Sequence, residues 1–384
     1  MRKKIILLTA ILSGANIFAL GGVNVLTSPT ASGLGNPVQQ VEVSVDSVFY
    51  NPAALPFLEE GDYIGGGSAF VIPKYRGEKH TENTSTTVDI DNLILVPNIQ
   101  YVKVKGDRAY YIGTGSMGQG GFLDPSIHSN SIDKMDMDYL APGLLFGVSQ
   151  KLNEDLSISF GGRYTYVYQH LEIEGDALRR RGTDVDGDME ITGGGVAPEI
   201  GLFYRATEKL DLSAKYLFRT KIDNEADVSG NRPKIPGVLE EHLTKRGDYP
   251  AVLSTGTSYK IDDKNKIFAG YNLIFESEDY VYGGGYGDTH EYMAGYVRTL
   301  NDKYKVECGY TYVDKGGNGR ATTFQELDAQ VVGVALRHKY NETTEFLYSL
   351  NANLYHEEQS SHGDIKSNAY RRETTFGVGV SKKI

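Results

Sequence analysis

From residue 62 onward, apolar and polar residues alternate along this chain in bursts with a period of two. The bursts fall at 62–72, 92–105, 108–117, 138–151, 156–174, 189–206, 210–222, 250–261, 266–276, 290–300, 304–312, 330–338, 345–356 and 370–382. That period is the mark of a β-strand with one apolar and one polar face. Six of the breaks between bursts are three or four residues long: Lys105-Gly106-Asp107, Asn153-Glu154-Asp155, Thr207-Glu208-Lys209, Asp262-Asp263-Lys264-Asn265, Asn301-Asp302-Lys303 and Asn341-Glu342-Thr343. All six are made of turn-forming residues. The others, around 73–91, 118–137, 175–188, 223–249, 277–289, 313–329 and 357–369, are long and polar. Long and short breaks alternate, so every short turn falls at one end of the strands and every long loop at the other. Fourteen strands is an even number, and the pattern predicts an all-β fold: an antiparallel β-barrel in a bacterial outer membrane. Short turns and both chain ends would then lie in the periplasm, and the long loops outside.

Individual strands carry the two faces openly. In 156–174, Leu156, Ile158, Phe160, Tyr164, Tyr166 and Tyr168 share one side, with Ser157, Ser159, Gly161, Arg163, Thr165 and Gln169 on the other. In 210–222, Leu210, Leu212, Ala214, Tyr216 and Phe218 oppose Asp211, Ser213, Lys215 and Arg219. The first set suits lipid and the second a polar interior. The final strand sets Phe376, Val378, Val380 and Ile384 in one register, like the C-terminal signal read by the barrel-assembly machinery, although the last residue is Ile384 where an aromatic is usual.

The N-terminus breaks the pattern. Arg2, Lys3 and Lys4 precede the apolar run Ile5 to Leu12 and a small-residue stretch ending at Ala19. This is the layout of a secretory leader, residues 1–19, whose apolar core is too short to span a bilayer. Composition then adjusts the picture. The 27 tyrosines and absence of Trp suit strands with interfacial Tyr girdles. The single Cys308 rules out a disulfide framework. The net charge of −11 becomes −14 once the three leader cations are removed, which argues against nucleic-acid binding. No cofactor or metal site is expected: the eight histidines are dispersed, and no nucleophile motif points to an enzyme.

Residues 20–61 are rich in Gly, Ser, Asn and Val and do not read as a membrane strand. A periplasmic tail would account for them. A plug would also, because a barrel of this size is too wide inside for its own side chains to fill. Within this stretch, Ser32-Gly33-Leu34-Gly35 and Ser47-Val48-Phe49-Tyr50-Asn51-Pro52-Ala53-Ala54-Leu55, followed by Ile64-Gly65-Gly66-Gly67-Ser68-Ala69-Phe70, resemble the N-terminal hatch and first strand of the FadL family of outer-membrane transporters. Val96-Pro97-Asn98-Ile99-Gln100-Tyr101 and Ala109-Tyr110-Tyr111-Ile112-Gly113-Thr114-Gly115 resemble that family's second and third strands. The detailed resemblance covers about residues 30–120. It implies a monomeric transporter that carries long-chain fatty acids or aromatic hydrocarbons inward. A loop groove would capture the ligand, a pocket near the hatch receive it, and a gap in the wall at a kinked third strand release it sideways into the membrane. Asn51, Pro52 and Ala53 would form the hatch motif, with Asn51 holding the hatch against the gap.

Residue chemistry gives its own candidates. If the first hairpin turns at Gly106, Pro97 falls opposite Gly115 to within a residue or two. Pro gives no ladder hydrogen bond and Gly marks bends, so Pro97, Gly113, Gly115 and Gly118 would weaken the second and third strands' pairing: a lateral opening, or an ordinary bulge. Phe122, Leu123, Ile127, Ile132, Met135, Met137 and Leu140 lie among polar residues, either as an apolar capture groove or as loop residues packed onto the barrel. Arg163, Lys215 and Arg219 point inward by parity and would meet a ligand head group or pair with acids such as Asp211.

Several motifs dissolve. Gly113-Thr114-Gly115-Ser116-Met117-Gly118 matches a dinucleotide fingerprint in letters but no amphipathic helix follows. Asp184 to Glu190 lacks the Gly and bidentate Glu of a calcium loop, and an acidic loop is the simpler reading. Arg179-Arg180-Arg181 would either meet lipopolysaccharide phosphates or stay solvated. Three other classes share the strand pattern. A general porin would have no need of a plug of some forty residues. An outer-membrane phospholipase would need Ser beside a His such as His170, and an adhesin would need neither.

Overall fold

The computed structural model describes residues 28–34, 43–80, 85–91, 93–116, 121–123, 126–129, 134–175, 185–229, 243–246, 248–278, 287–316, 328–356, 358–362 and 365–384. The leader, Gly118, Ile132, Arg179–Arg181 and Asp184 lie outside them.

Fourteen strands form one closed wall: β1 Gly61–His80, β2 Ile94–Lys105, β3 Arg108–Ser116, β4 Pro142–Lys151, β5 Leu156–Gly175, β6 Val185–Arg205, β7 Leu210–Leu217, β8 Val252–Lys260, β9 Asn265–Ile274, β10 Thr289–Thr299, β11 Tyr304–Asp314, β12 Ala329–Lys339, β13 Thr344–Tyr355 and β14 Ile365–Lys383. Each pairs antiparallel with the next, and β14 closes on β1 from Tyr63↔Lys383 to His80↔Lys366. The alternation decides the faces. On β5, Phe160 is 62% exposed while Ser157, Ser159, Thr165 and Gln169 are buried inside. Leu95, Ile112, Phe146, Val332, Val334, Leu350 and Phe376 all stand on the outer surface, an apolar exterior that in water would drive association and in a bilayer is solvated. An Arg placed on that belt at mid-wall has no aqueous refuge. We expect Val334→Arg, between Cys308 and Leu350 on the neighbouring strands, to destabilise the barrel by about 2–4 kcal/mol, read by denaturant unfolding in bilayers.

Five of the six short turns owe their form to one device. Asn153 Oδ1, Asp262 Oδ1, Asn301 Oδ1 and Asn341 Oδ1 each accept from the backbone N–H groups two and three residues on, and Thr207 Oγ1 does the same. A short polar side chain at the first turn position thus replaces the backbone partner a strand would have supplied. The Asn265 amide and these N–H groups hold the Asp262 carboxyl below the usual carboxylate range. The sixth turn has no such side chain and instead places Gly106 at φ +55°, where a Cβ would be strained.

The long connections depart from expectation. The stretch 73–91 is not all loop: β1 continues to His80 and pairs with a strand at Ser85–Ile90. Outer extensions of β5, β6 and β14 likewise pair with Lys134–Leu140, Asp223–Ser229 and Glu358–His362. A membrane strand needs about 9–11 residues, so these strands of 19 to 21 residues project beyond the bilayer on the long-loop side. There no lipid face forces apolar alternation, and the period-two signal fades.

Candidate functional site

The chain before β1 turns into the barrel. A short helix α1, Pro29–Leu34, lies against β11, β12, β13 and β14, and a second, α2, Ser47–Tyr50, runs into a 3-10 helix over Pro52–Phe57 packed on β4, β5 and β6. Ala31, Leu34, Val48, Asn51, Ala53, Ala54 and Leu55 are all fully or almost fully buried. Buried backbone polar groups need partners, and the barrel's inner side chains provide them. Ser149 Oγ donates to the Pro52 carbonyl at 2.6 Å, Ser157 Oγ to the Ala53 carbonyl, and Asn351 Nδ2 to the Ser32 carbonyl at 3.2 Å. The Phe57 ring lies tilted against Phe203, 5.2 Å between centres, with the Arg205 guanidinium 4.2 Å and the Lys151 ammonium 5.0 Å from its own centre at the short-turn end.

Asn51 caps this arrangement. Its Oδ1 accepts from the Ala53 N–H at 3.2 Å and its Nδ2 donates to the Leu202 carbonyl of β6 at 2.9 Å. The Asn51-Pro52-Ala53 stretch is therefore tied to β4, β5 and β6, and the hydrogen bond of the Asn51 amide to the wall goes to β6 rather than to the junction of β2 and β3. The residues beneath that junction are Val48 and Phe49. A Cβ on Gly113 would stand 2.8 Å from Val48 Cγ1, so only Gly lets α2 approach the wall there.

Polar links fasten the segment further. Asp46 accepts from Thr30 Oγ1 and from Gln100 Nε2 of β2, and Arg337 Nη2 reaches Thr30 Oγ1 at 3.4 Å while its Nε pairs with Glu307, which is 0% exposed. Arg337 also donates to Glu345 Oε1 at 3.0 Å. Lys215 points inward as parity required. Its Nζ donates to the Phe49 carbonyl at 3.0 Å and lies 4.0 Å from Glu199 Oε2, while Tyr111 Oη donates to Glu199 Oε1 at 3.0 Å. Arg163 Nη2 donates to Thr220 Oγ1 at 3.1 Å, and Arg219 Nη2 to the Phe275 carbonyl at 3.5 Å. The three cations thus face the interior on different partners. Asp211, the acid suggested for them, instead lies 3.7 Å from Lys266. Lys215→Met would leave the buried Glu199 and the Phe49 carbonyl each short of a partner. We expect a loss of about 1–3 kcal/mol in unfolding free energy, with Lys215→Arg largely restoring it.

The wall itself is interrupted at β2 and β3. Their pairing runs from Lys105↔Arg108 to Ile99↔Thr114, and no pair between them follows among the described residues. Above that point β2 stays paired to β1 as far as Val71↔Ile94, and β3 to β4 as far as Ser116↔Pro142. Continued, the register would set Pro97 against Ser116 and Asn98 against Gly115. Pro97 has no N–H to leave unpaired at membrane depth, which lowers the cost of an open edge. The break opens a cleft of about 680 Å³ lined by Leu93, Ile94, Leu95, Pro97, Asn98, Ile99, Thr114, Gly115, Ser116, Leu140, Ala141 and Pro142. Its size and apolar walls are those of a small-molecule pocket.

Of the apolar loop candidates, Leu140 lines this cleft. Ile132 and the side chains of Phe122, Leu123, Ile127, Met135 and Met137 lie outside what is described. Sequence reasoning missed Asp46, Gln100, Glu199 and Arg337. For Gln100, Glu199 and Arg337 the available signal was a long polar side chain at an inward parity position; Asp46, before β1, has no strand parity to read.

A closed fourteen-stranded antiparallel wall with an apolar exterior is an outer-membrane β-barrel that crosses the membrane many times. No protein-family model and no curated protein matches the chain. Solved structures do share its fold. The chain is similar to a Pseudomonas aeruginosa FadL homologue over 94% of its own length and 99% of that chain, with a TM-score of 0.72 at 13% identity. It is similar to the Ralstonia pickettii toluene transporter TbuX over 95% and 99%, with a TM-score of 0.66 at 15% identity, and to the CymD monoaromatic hydrocarbon channel over 95% and 98%, with a TM-score of 0.65 at 15% identity. The fold is the one that the FadL resemblance implied.

Proposed function

We propose that this protein is an outer-membrane channel for hydrophobic small molecules, long-chain fatty acids first among them, with residues 20–61 as a hatch and the β2/β3 break as a side exit into the bilayer. The observation that carries this reading is the position of the apolar cleft, where the pairing of two neighbouring wall strands stops among the described residues, beside an N-terminal segment packed on the inner wall. An aqueous pore offers an acyl chain nothing favourable, whereas a side exit lets it move from one apolar environment to another. An unpaired strand edge at membrane depth is tolerated where it lines a cavity, so the break fits a passage better than a bulge. Monoaromatic hydrocarbons are the alternative cargo, since the names of TbuX and CymD concern toluene and monoaromatic compounds. In this reading the chain is a monomer inserted by the barrel-assembly machinery, with both termini in the periplasm and lipopolysaccharide around its outer belt.

Native mass spectrometry of the purified barrel, beside single-channel recording in planar bilayers, tests it. A co-purifying hydrophobic molecule with little steady conductance is the expected result. Large stable conductance with nothing bound would make the protein a porin.

A further inference from the structure

We infer that Asn98 is the specificity-determining residue of the side exit, and that it selects amphipathic molecules with an uncharged hydrogen-bond-accepting head: a long-chain ester, an alcohol or a fatty acid in its protonated form. The inference rests on the channel reading above and names the chemistry that passes. Asn98 is 8% exposed and its Nδ2 has no hydrogen-bond partner among the described residues. A buried donor left unmade is costly, so the position asks for an acceptor brought from outside. The residue also stands where two spaces meet. It lines the apolar cleft on the membrane side, and it lines a crevice of about 20 Å³ on the interior side together with Thr30, Asp46, Arg337 and Glu345. A tail lying along Leu95, Ile99 and Leu140 would therefore bring its head to the amide.

The charges around the crevice decide what kind of head is accepted. Among the described residues that line it, Asp46 and Glu345 stand with one cation, Arg337, whose guanidinium is already engaged by Glu307, Glu345 and Thr30. An ionised carboxylate there meets an excess of negative charge and loses water. A neutral carbonyl or hydroxyl oxygen takes the Nδ2 donor without that penalty.

The test compares uptake of isotope-labelled hexadecane, methyl hexadecanoate and hexadecanoate, at alkaline pH, by cells that carry the full-length barrel and no other route for these compounds. The wild type should take up the ester faster than the carboxylate. Asn98→Leu should lower the ester-to-alkane ratio about tenfold, the size of one lost buried hydrogen bond, and Asn98→Ser, which keeps a donor, should restore most of it. A ratio that is the same in wild type and Asn98→Leu, or a wild type that prefers the ionised acid, overturns the inference. If Asn98→Leu does not assemble, the wild-type ester-to-carboxylate preference and the Asn98→Ser ratio decide. Uptake of none of the three above that of cells lacking the barrel would remove the channel reading itself, which an unmoved ratio with brisk alkane uptake would not.

Discussion

Removing residues 28–57, with the leader kept for export, should turn a nearly silent barrel into one that conducts in large, stable steps. The expectation follows from what those residues occupy. Fourteen strands enclose more space than their inward side chains fill, and on β5 those side chains include Ser157, Ser159, Gly161 and Thr165. In the reading proposed above that space is taken by α1, α2 and the 3-10 helix, whose carbonyls Ser149, Ser157, Lys215 and Asn351 satisfy. With the segment gone, those wall side chains face water at no great cost, so the wall survives while ion flow rises by roughly an order of magnitude or more. Planar-bilayer recording reads this directly. A deletion variant that assembles and stays silent would show that something else fills the lumen.

The second large effect comes from joining the wall where it parts. Pro97→Cys with Ser116→Cys, in a Cys308→Ala background because Cys308 is an exposed free thiol, places two thiols across the break. A continued register would set the two positions opposite each other, and the strands run close at this level: a Cβ on the neighbouring Gly115 would stand 3.7 Å from the Pro97 carbonyl. An opposed pair on strands at sheet spacing lies within the Cα span that a disulfide bridges. Oxidation should cut uptake of a hydrophobic probe about tenfold or more, as a side exit held shut must, and reduction should bring it back. Uptake that persists in the oxidised protein would mean that cargo leaves by another way.

The wall was legible because lipid enforces its pattern. Phe160 and Val334 face hydrocarbon, Ser159 and Arg337 face the interior, and no other arrangement of those residues is stable in a bilayer. The strands past the bilayer were not legible: Thr87 and Asp89 pair in an extension where no lipid face demands an apolar side chain, so the sequence carries no apolar/polar period there. Within the site, Pro97 and Gly115 were visible as residues that interrupt pairing. The attachment of Asn51 to β6 was not, because a carbonyl such as that of Leu202 looks alike at every position of a sequence. Lys215 was readable as inward-facing but not as the partner of Phe49, since which backbone atom lies within reach depends on how the N-terminal segment coils.

The break between β2 and β3 lies inside a hairpin and not where the two ends of the chain meet. β1 and β14 are joined along eighteen residue pairs, while β2 and β3 share seven and the turn at Gly106. A tear in this wall is thus stitched at its base by a covalent bond. It can part only from the outer side downward, as a zip with a fixed stop does, and each excursion ends with both edges still in register to close again.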